Sequence, residues 1–168
     1  EKFNPSHVAT TKMMAFVMKA YINAGDLERT EHWMHRIERK YELTQAIGDY
    51  PGYYIYNPYV NGLRNMVDVS EKKMAKLSME VLKKIDTPSK LALQYELFPG
   101  RDLYLDIMKY QERGYKGSAA FFRIEEVFRQ LQKNYEASNK HPRLKPAIDA
   151  LTPVFLAAAQ GYFPHDEK

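Results

Sequence analysis

Residues 15–40, AFVMKAYINAGDLERTEHWMHRIERK, contain a single glycine and no proline, and that glycine separates two segments with helical character. In the second segment, one stripe of residues recurs at i, i+3, i+7, i+10 and i+14, positions that share one face of a helix. The stripe consists of Leu27, Thr30, Met34, Ile37 and Tyr41. Gly25 followed by Asp26 is typical of a helix end and the N-cap of the next helix. The stretch therefore predicts a helical hairpin.

The same type of second helix recurs farther along the chain. Its stripe repeats the spacing of the first and consists of Phe121, Ile124, Phe128, Leu131 and Tyr135. Between the two, residues 69–85 predict a third amphipathic helix with Ser70 as its N-cap. Its less regular stripe consists of Met74, Leu77, Val81 and Ile85. We expect Trp33 and the two regular stripes to pack between neighbouring hairpins.

Shorter and more apolar helices alternate with these second helices. They are predicted at His7 to Asn23, Tyr54 to Met66, Asp102 to Arg113 and Ile148 to Gln160, and the last three follow proline-led junctions. Equivalent first-helix positions lie 42, 48 and 47 residues apart, at Ala15, Asn57, Leu105 and Thr152. Spacings of this length predict an all-α solenoid of stacked antiparallel helical hairpins. We divide the single domain, residues 1–168, into repeats at 7–50, 51–98 and 99–145 and the start of a fourth at 146–168.

Composition removes several classes of site. The chain has no cysteine, which excludes disulfides and thiolate-bound metals. The longest apolar stretch, residues 150–163, contains Pro153 and Gln160 and is shorter than the roughly 18 to 20 residues that a membrane span needs. We therefore expect no transmembrane segment. Because the sequence begins at Glu1 rather than Met, it leaves open whether a targeting segment was removed.

Positive charge is concentrated in the last third of the chain. The net charge is +4, and the segment Lys109–Lys145 contains nine basic and four acidic residues. Such a segment suits a polyanion such as RNA or an anionic membrane surface. A solvated helix face followed by a basic loop would give the same composition, so both interpretations stay open.

Three stretches resemble one known family of helical repeats. YIYNPYVNGLRNM resembles the first helix of a pentatricopeptide repeat, and NAGDLERTEHWMHRI resembles the turn and second helix of that repeat. LKPAIDALTPVFLAAAQG is similar to the junction into a further unit. The resemblance covers nearly the whole chain and implies a right-handed solenoid that binds single-stranded RNA along its first helices. It also implies a mitochondrial or plastid location.

The resemblance implies four base-facing positions and three repeat-end positions. The base-facing positions are Ala15, Asn57, Leu105 and Thr152, and the repeat-end positions are Gly52, Gly100 and Ala147. Ala15, Leu105 and the repeat-end residues have no polar side chain with which to select a base. We therefore expect RNA binding without strong sequence specificity.

Further RNA-binding candidates are basic and aromatic residues. They are Tyr53, Tyr54, Lys116, Arg123, Arg129, Lys133, Lys140, Arg143 and Lys145. Tyrosine rings can stack on any base, whereas lysine and arginine pair with phosphates. For Tyr56 and Tyr59 we expect packing between hairpins, with the hydroxyls at the rim.

No catalytic motif accompanies the repeats. His32 and His35 lie one turn apart, but their order, EHWMH, is not that of a zincin site. The sequence also lacks a glycine-rich phosphate loop and a nucleophile elbow. We expect a protein that is not an enzyme and has no catalytic residue, metal or cofactor. The sequence favours an RNA-associated structural subunit of an organellar ribonucleoprotein such as a mitochondrial ribosome, with other protein subunits as partners. The alternative is a protein scaffold in an organellar membrane complex.

Overall fold

The computed structural model describes residues 10–162, which form eight α-helices and no strand. The helices are α1 (Thr11–Asn23), α2 (Leu27–Thr44), α3 (Tyr53–Gly62), α4 (Glu71–Lys84), α5 (Lys90–Gln94), α6 (Arg101–Gly114), α7 (Gly117–Ala137) and α8 (Ile148–Tyr162). Short 3-10 turns lie at Ile47–Asp49, Leu63–Asn65 and Pro142–Leu144. The all-α prediction is confirmed for these residues. The predicted start of the first helix at His7 lies outside them.

The predicted helix caps are present. The Asp26 carboxylate accepts a hydrogen bond from the backbone N–H of Arg29 (3.0 Å), and Gly25 adopts the left-handed conformation at φ 74°. The Ser70 hydroxyl caps α4 in the same way. The largest differences from the prediction are one helix end and one additional helix. The helix expected to reach Met66 ends at Gly62 and continues as a 3-10 turn, and α5 was missed because five residues are too few to show a period.

The predicted stripe of α2 faces the core. Thr30, Met34 and Ile37 are buried, and Trp33 is half-buried against the core. In α7 the buried face is shifted from the predicted stripe. It consists of Ala120, Ile124, Val127, Leu131 and Asn134. Phe121 and Phe128 flank this face and are half-buried. The shift brings a polar residue into the core, where Asn134 Nδ2 donates to the Ile85 carbonyl (3.2 Å) and to the Tyr104 hydroxyl (2.7 Å).

Neighbouring helices pack in pairs around one core. α1 packs against α2 and α3, and α6 packs against α4, α7 and α8. The helix α4 contacts α6 more extensively than α3, although α3 precedes it in the chain. Gly114 permits this approach, because a Cβ there would lie 2.6 Å from the Ala75 Cβ. The Gln111 amide of α6 also donates to the Ala75 carbonyl (2.9 Å). None of the helices in the described residues is long and apolar enough to cross a membrane.

A carboxylate fixes the turn that follows α2. Asp49 accepts hydrogen bonds from the hydroxyls of Thr11 and Thr44 and pairs with the Lys40 ammonium at 2.7 Å. Partial burial alone would raise the pKa of Asp49, but the hydrogen bonds from Lys40, Thr11 and Thr44 hold that pKa below its ordinary value. The turn is thereby joined to both α1 and α2.

Asp49→Asn should destabilise the protein in a pH-dependent way. At neutral pH we expect the free energy of unfolding to fall by about 1–3 kcal/mol, because Lys40 loses its charged acceptor. A carboxyl whose pKa is lowered in the folded state stabilises above its unfolded pKa of about 3.9, and this contribution is lost as the pH falls through the folded pKa. Urea unfolding of both proteins from pH 7 to pH 3 should show the difference shrinking below about pH 4. A difference that is the same at pH 3 and pH 7 would contradict this role.

Candidate functional site

A groove of about 650 Å³ lies between α1 and α3. Its walls come from α1, α3 and the 3-10 turn after α3, and we call it the α1–α3 groove. The first turns of the two helices lie side by side, with Lys12 Nζ 5.9 Å from the centre of the Tyr54 ring. Their last turns also meet, because a Cβ on Gly62 would lie 1.9 Å from Ile22 Cγ2. The two helices therefore run in the same direction, and the missing side chain of Gly62 sets their closest approach.

The charged residues that line the groove are all cationic. Lys12, Lys19 and Arg64 are exposed, and no aspartate or glutamate lines the groove. Within residues 10–162, none of these three side chains forms an ion pair with a carboxylate. A concave surface with charges of one sign concentrates its electrostatic potential and attracts ligands of the opposite sign. The groove is therefore suited to an anionic ligand.

Aromatic rings line the same groove. Tyr53 and Tyr54 contact each other with ring centroids 3.8 Å apart and planes tilted by 35°. Phe16, on the opposite wall, is 73% exposed. The Arg143 guanidinium lies 5.0 Å from the centre of the Tyr53 ring and donates a hydrogen bond to the Glu96 carbonyl (2.7 Å). Aromatic rings beside cations are the combination that binds unpaired bases and their phosphates.

Amide side chains complete the lining. Asn57, Asn61 and Asn65 follow one another at intervals of four residues, so they form a row along α3 and its 3-10 turn, and Asn23 lies at the end of α1. The Asn57 Oδ1 atom is buried and accepts no hydrogen bond from the described residues. A buried acceptor without a partner is uncommon in folded proteins.

Two of the four predicted base-facing positions line the groove, and two do not. Ala15 on α1 and Asn57 on α3 both line the groove. Leu105 is half-buried against the core, and Thr152 is exposed on α8 with its hydroxyl donating to the Ile148 carbonyl (3.1 Å). Neither of these two residues lines the groove.

The basic candidates from the segment Lys109–Lys145 do not line the groove, and several of them have partners. Arg129 pairs with Glu125 at 2.7 Å, Lys133 pairs with Asp86 at 2.9 Å, and both cations lie on α7. Arg123 stacks on Tyr115 at 4.1 Å. Three further lysines, Lys116, Lys140 and Lys145, are exposed and do not line the groove. Among the basic candidates, Arg143 contacts the ring of Tyr53, which lines the groove, and RNA contact by any of these residues stays a prediction.

Tyr56 and Tyr59, which we expected to pack between hairpins, are part of the buried core. Both are buried, and their hydroxyls donate to Glu38 (3.3 Å) and Glu31 (3.0 Å). Burial, followed by the nearby carboxylates, raises the pKa of both phenols well above the ordinary range. Tyr53 and Tyr54, the two aromatic RNA-binding candidates, line the groove.

Sequence reasoning missed the cations and the exposed ring of α1. Lys12, Phe16 and Lys19 follow a spacing of four and three residues, so they share one face of the helix. The spacing can be read from the sequence, but it contains two cations, whereas Lys109–Lys145 contains nine basic residues. Arg64 follows Asn57 by seven residues in the predicted helix, so the two share a helix face, and in the structure Arg64 lies in the 3-10 turn after α3.

The two histidines of α2 lie on the protein surface. His32 and His35 are exposed, and His35 Nδ1 lies 3.1 Å from the Glu38 carboxylate. No group of three or more histidine, aspartate or glutamate side chains is placed to hold a metal in the part of the chain that the structure describes.

No protein-family model matches this sequence, and no curated protein or solved structure is significantly similar to it. A functional assignment therefore depends on the chemistry of the α1–α3 groove.

Proposed function

We propose that the α1–α3 groove binds single-stranded RNA and that the protein is a non-catalytic, RNA-associated structural subunit of a ribonucleoprotein. The observation that supports this most strongly is the lining itself, in which Lys12, Lys19 and Arg64 lie beside exposed rings and no carboxylate is present. Cations release counterions from phosphates, and rings stack on unpaired bases. Single strands are favoured over duplexes, because the bases of a duplex are already stacked on each other.

The arrangement of the first helices supports a binding surface longer than one groove. α1 contacts α3, α3 contacts α6, and α6 contacts α8. We propose that these four helices form one face of a right-handed solenoid of the pentatricopeptide-repeat type. Such a solenoid would place RNA along its first helices. The sequence resemblance then supports a mitochondrial or plastid ribonucleoprotein, such as a mitochondrial ribosome, as the setting.

Selection among bases is expected to be weak. Ala15 offers no hydrogen bond across the groove from Asn57, and Leu105 packs against the core. Discrimination requires polar groups that are left unpaired by the wrong base, and stacking on tyrosine or phenylalanine does not supply them. The specificity of the complex would therefore come from the shape and charge of the groove, together with neighbouring protein subunits.

Phe16→Ala should weaken the binding of single-stranded RNA by at least fivefold, because one stacked base is worth about 1–3 kcal/mol. The matched control is Phe122→Ala on α7, since Phe122 is similarly exposed (65% against 73%) and does not line the groove. Fluorescence anisotropy with a labelled ten-nucleotide RNA and with a duplex of the same length gives both affinities. We expect the control to bind as the wild type does and the duplex to bind weakly. Equal losses in both variants, or tighter binding of the duplex, would contradict the proposal.

One observation favours the scaffold function as the second candidate. The outer face of α8 exposes Ile148 (83%), Phe155 (67%) and Leu156 (51%), and apolar residues grouped in this way commonly mark a protein contact. A scaffold in an organellar membrane complex would use this face. If the purified protein fails to bind RNA at low salt, the scaffold replaces RNA association as the proposed function.

A further inference from the structure

We infer that a second, smaller cavity beside the α1–α3 groove is a subsite for one unstacked nucleobase of the bound strand. The inference rests on the proposed function of the groove. It adds a position at which one base of the bound strand turns away from its neighbours. We call this cavity, of about 270 Å³, the side cavity.

The side cavity is adjacent to the groove. Lys12 and Tyr54 line both spaces, so these two side chains form the boundary between them. The other walls come from the start of α1, the 3-10 turn after α2 and the segment that follows α5. A strand whose phosphate lies near Lys12 can therefore place the attached base on the far side of Tyr54.

The lining of the side cavity is aromatic and apolar. Tyr50, Tyr54 and Tyr95 contribute rings, and Ile47 and Leu97 contribute apolar surface. Tyr95 is 58% exposed, which is high for an aromatic residue without a ligand. No carboxylate lines the cavity, so its walls do not repel an incoming nucleotide. Unpaired bases are recognised by this combination of stacking and apolar contact.

The size of the cavity selects for a single ring system. Sites for drug-sized molecules occupy roughly 300–1,000 Å³, and this cavity is slightly smaller than that range. A whole helix would not enter it. One nucleobase on a flexible backbone would enter the side cavity.

The walls are held in place before any ligand binds. The Tyr50 ring packs edge-on against Tyr41 at 5.3 Å. The backbone N–H of Tyr53 donates to the Leu97 carbonyl at 2.7 Å, which ties the start of α3 to the segment after α5. Asp49 fixes the neighbouring turn through its bonds to Thr11 and Lys40. A preformed cavity binds without the cost of ordering its side chains.

The Tyr50 hydroxyl remains a hydrogen-bond donor at physiological pH. Burial, with a further contribution from Tyr41, raises the pKa of Tyr50 to about 12. The neutral ring, packed edge-on against Tyr41, gives the side cavity an aromatic wall without a negative charge. Stacking on such a ring does not select strongly among bases.

The test uses ten-nucleotide oligouridine with a single 4-thiouridine, photocrosslinked to the full chain and mapped by mass spectrometry. We expect crosslinks at Tyr95 or Tyr50 in addition to crosslinks in the groove. Tyr95→Ala should lower the affinity for the unmodified oligouridine about five- to tenfold, with an unchanged dependence on salt because no phosphate contact is lost. Tyr95→Phe keeps the ring and should bind as the wild type does.

Leu91→Ala is the matched control, because Leu91 is similarly exposed (55%), lies on α5 and does not line the side cavity. It should leave the affinity unchanged. Crosslinks confined to Phe16, Tyr53 or other groove residues, together with wild-type affinity of Tyr95→Ala, would overturn the subsite and leave RNA binding by the groove intact. Failure of the wild type to bind oligouridine would instead overturn the proposed function and the subsite with it.

Discussion

Gly62→Val should lower the free energy of unfolding by about 3 kcal/mol, because it overpacks the contact between α1 and α3. A Cβ at this position would lie 1.9 Å from Ile22 Cγ2 and 3.2 Å from Ile22 Cβ, and Ile22 is itself buried. A β-branched neighbour cannot rotate away easily. The two helices must therefore separate, which moves the cations and rings of the two walls apart. We expect RNA affinity to fall together with stability, as measured by urea unfolding and by anisotropy on the folded protein.

Two alanine variants control for the loss of glycine. Gly62→Ala should show the same effects in weaker form, because it adds one carbon to the same contact. Gly48→Ala should leave the free energy of unfolding within about 0.5 kcal/mol of the wild type, since a Cβ at Gly48 meets no atom within 4 Å. A Gly62→Val protein as stable as the wild type would show that α1 and α3 are not in close contact at this point.

The helices and several of their buried faces could be predicted because both depend on neighbouring residues in the chain. The stripe of α2 through Met34 and Ile37 repeats with the helical period, and Asp26 and Ser70 cap the helices that they precede. The shift in α7 could not be predicted in this way. Asn134 is buried there because Tyr104 and the Ile85 carbonyl, both distant in sequence, satisfy its amide.

The sequence pattern also did not predict correctly which helices pack against each other. The pattern assigned α3 and α4 to one hairpin, whereas Gly114 and Gln111 bring α4 principally against α6. Both residues lie within a helical segment and interrupt no period. Gly114 matters because Ala75 packs opposite it, and this contact is known only from the structure.

The candidate site was partly predictable for the same reason. Ala15, Asn57, Tyr53 and Tyr54 were identified from the repeat alignment and from aromatic composition, and all four line the groove. The excess of basic residues in Lys109–Lys145 predicted an RNA-binding segment there, but a number of charges does not show which helix face carries each of them. Arg129 and Lys133 occupy α7, outside the groove.

Reversing two groove cations together, Lys19→Glu and Arg64→Glu, should weaken the binding of single-stranded RNA about 100-fold or more, since each loses a phosphate contact and adds a repulsive charge. Both side chains are exposed, so we expect the fold to be retained. The matched control is Arg129→Glu with Lys133→Glu, which makes the same change in net charge on α7. If the groove holds the strand, the control should lose much less affinity than the groove variant.

The central claim is tested most directly by the salt dependence of RNA affinity for the wild type and these two double variants. For single strands, each phosphate contact contributes roughly 0.7 to the slope of log affinity against log salt. The groove variant should therefore have a slope shallower by about 1.4, and the α7 variant should keep nearly the wild-type slope. The opposite result, a reduced slope in the α7 variant and a wild-type slope in the groove variant, would contradict the account and place the RNA on the basic segment.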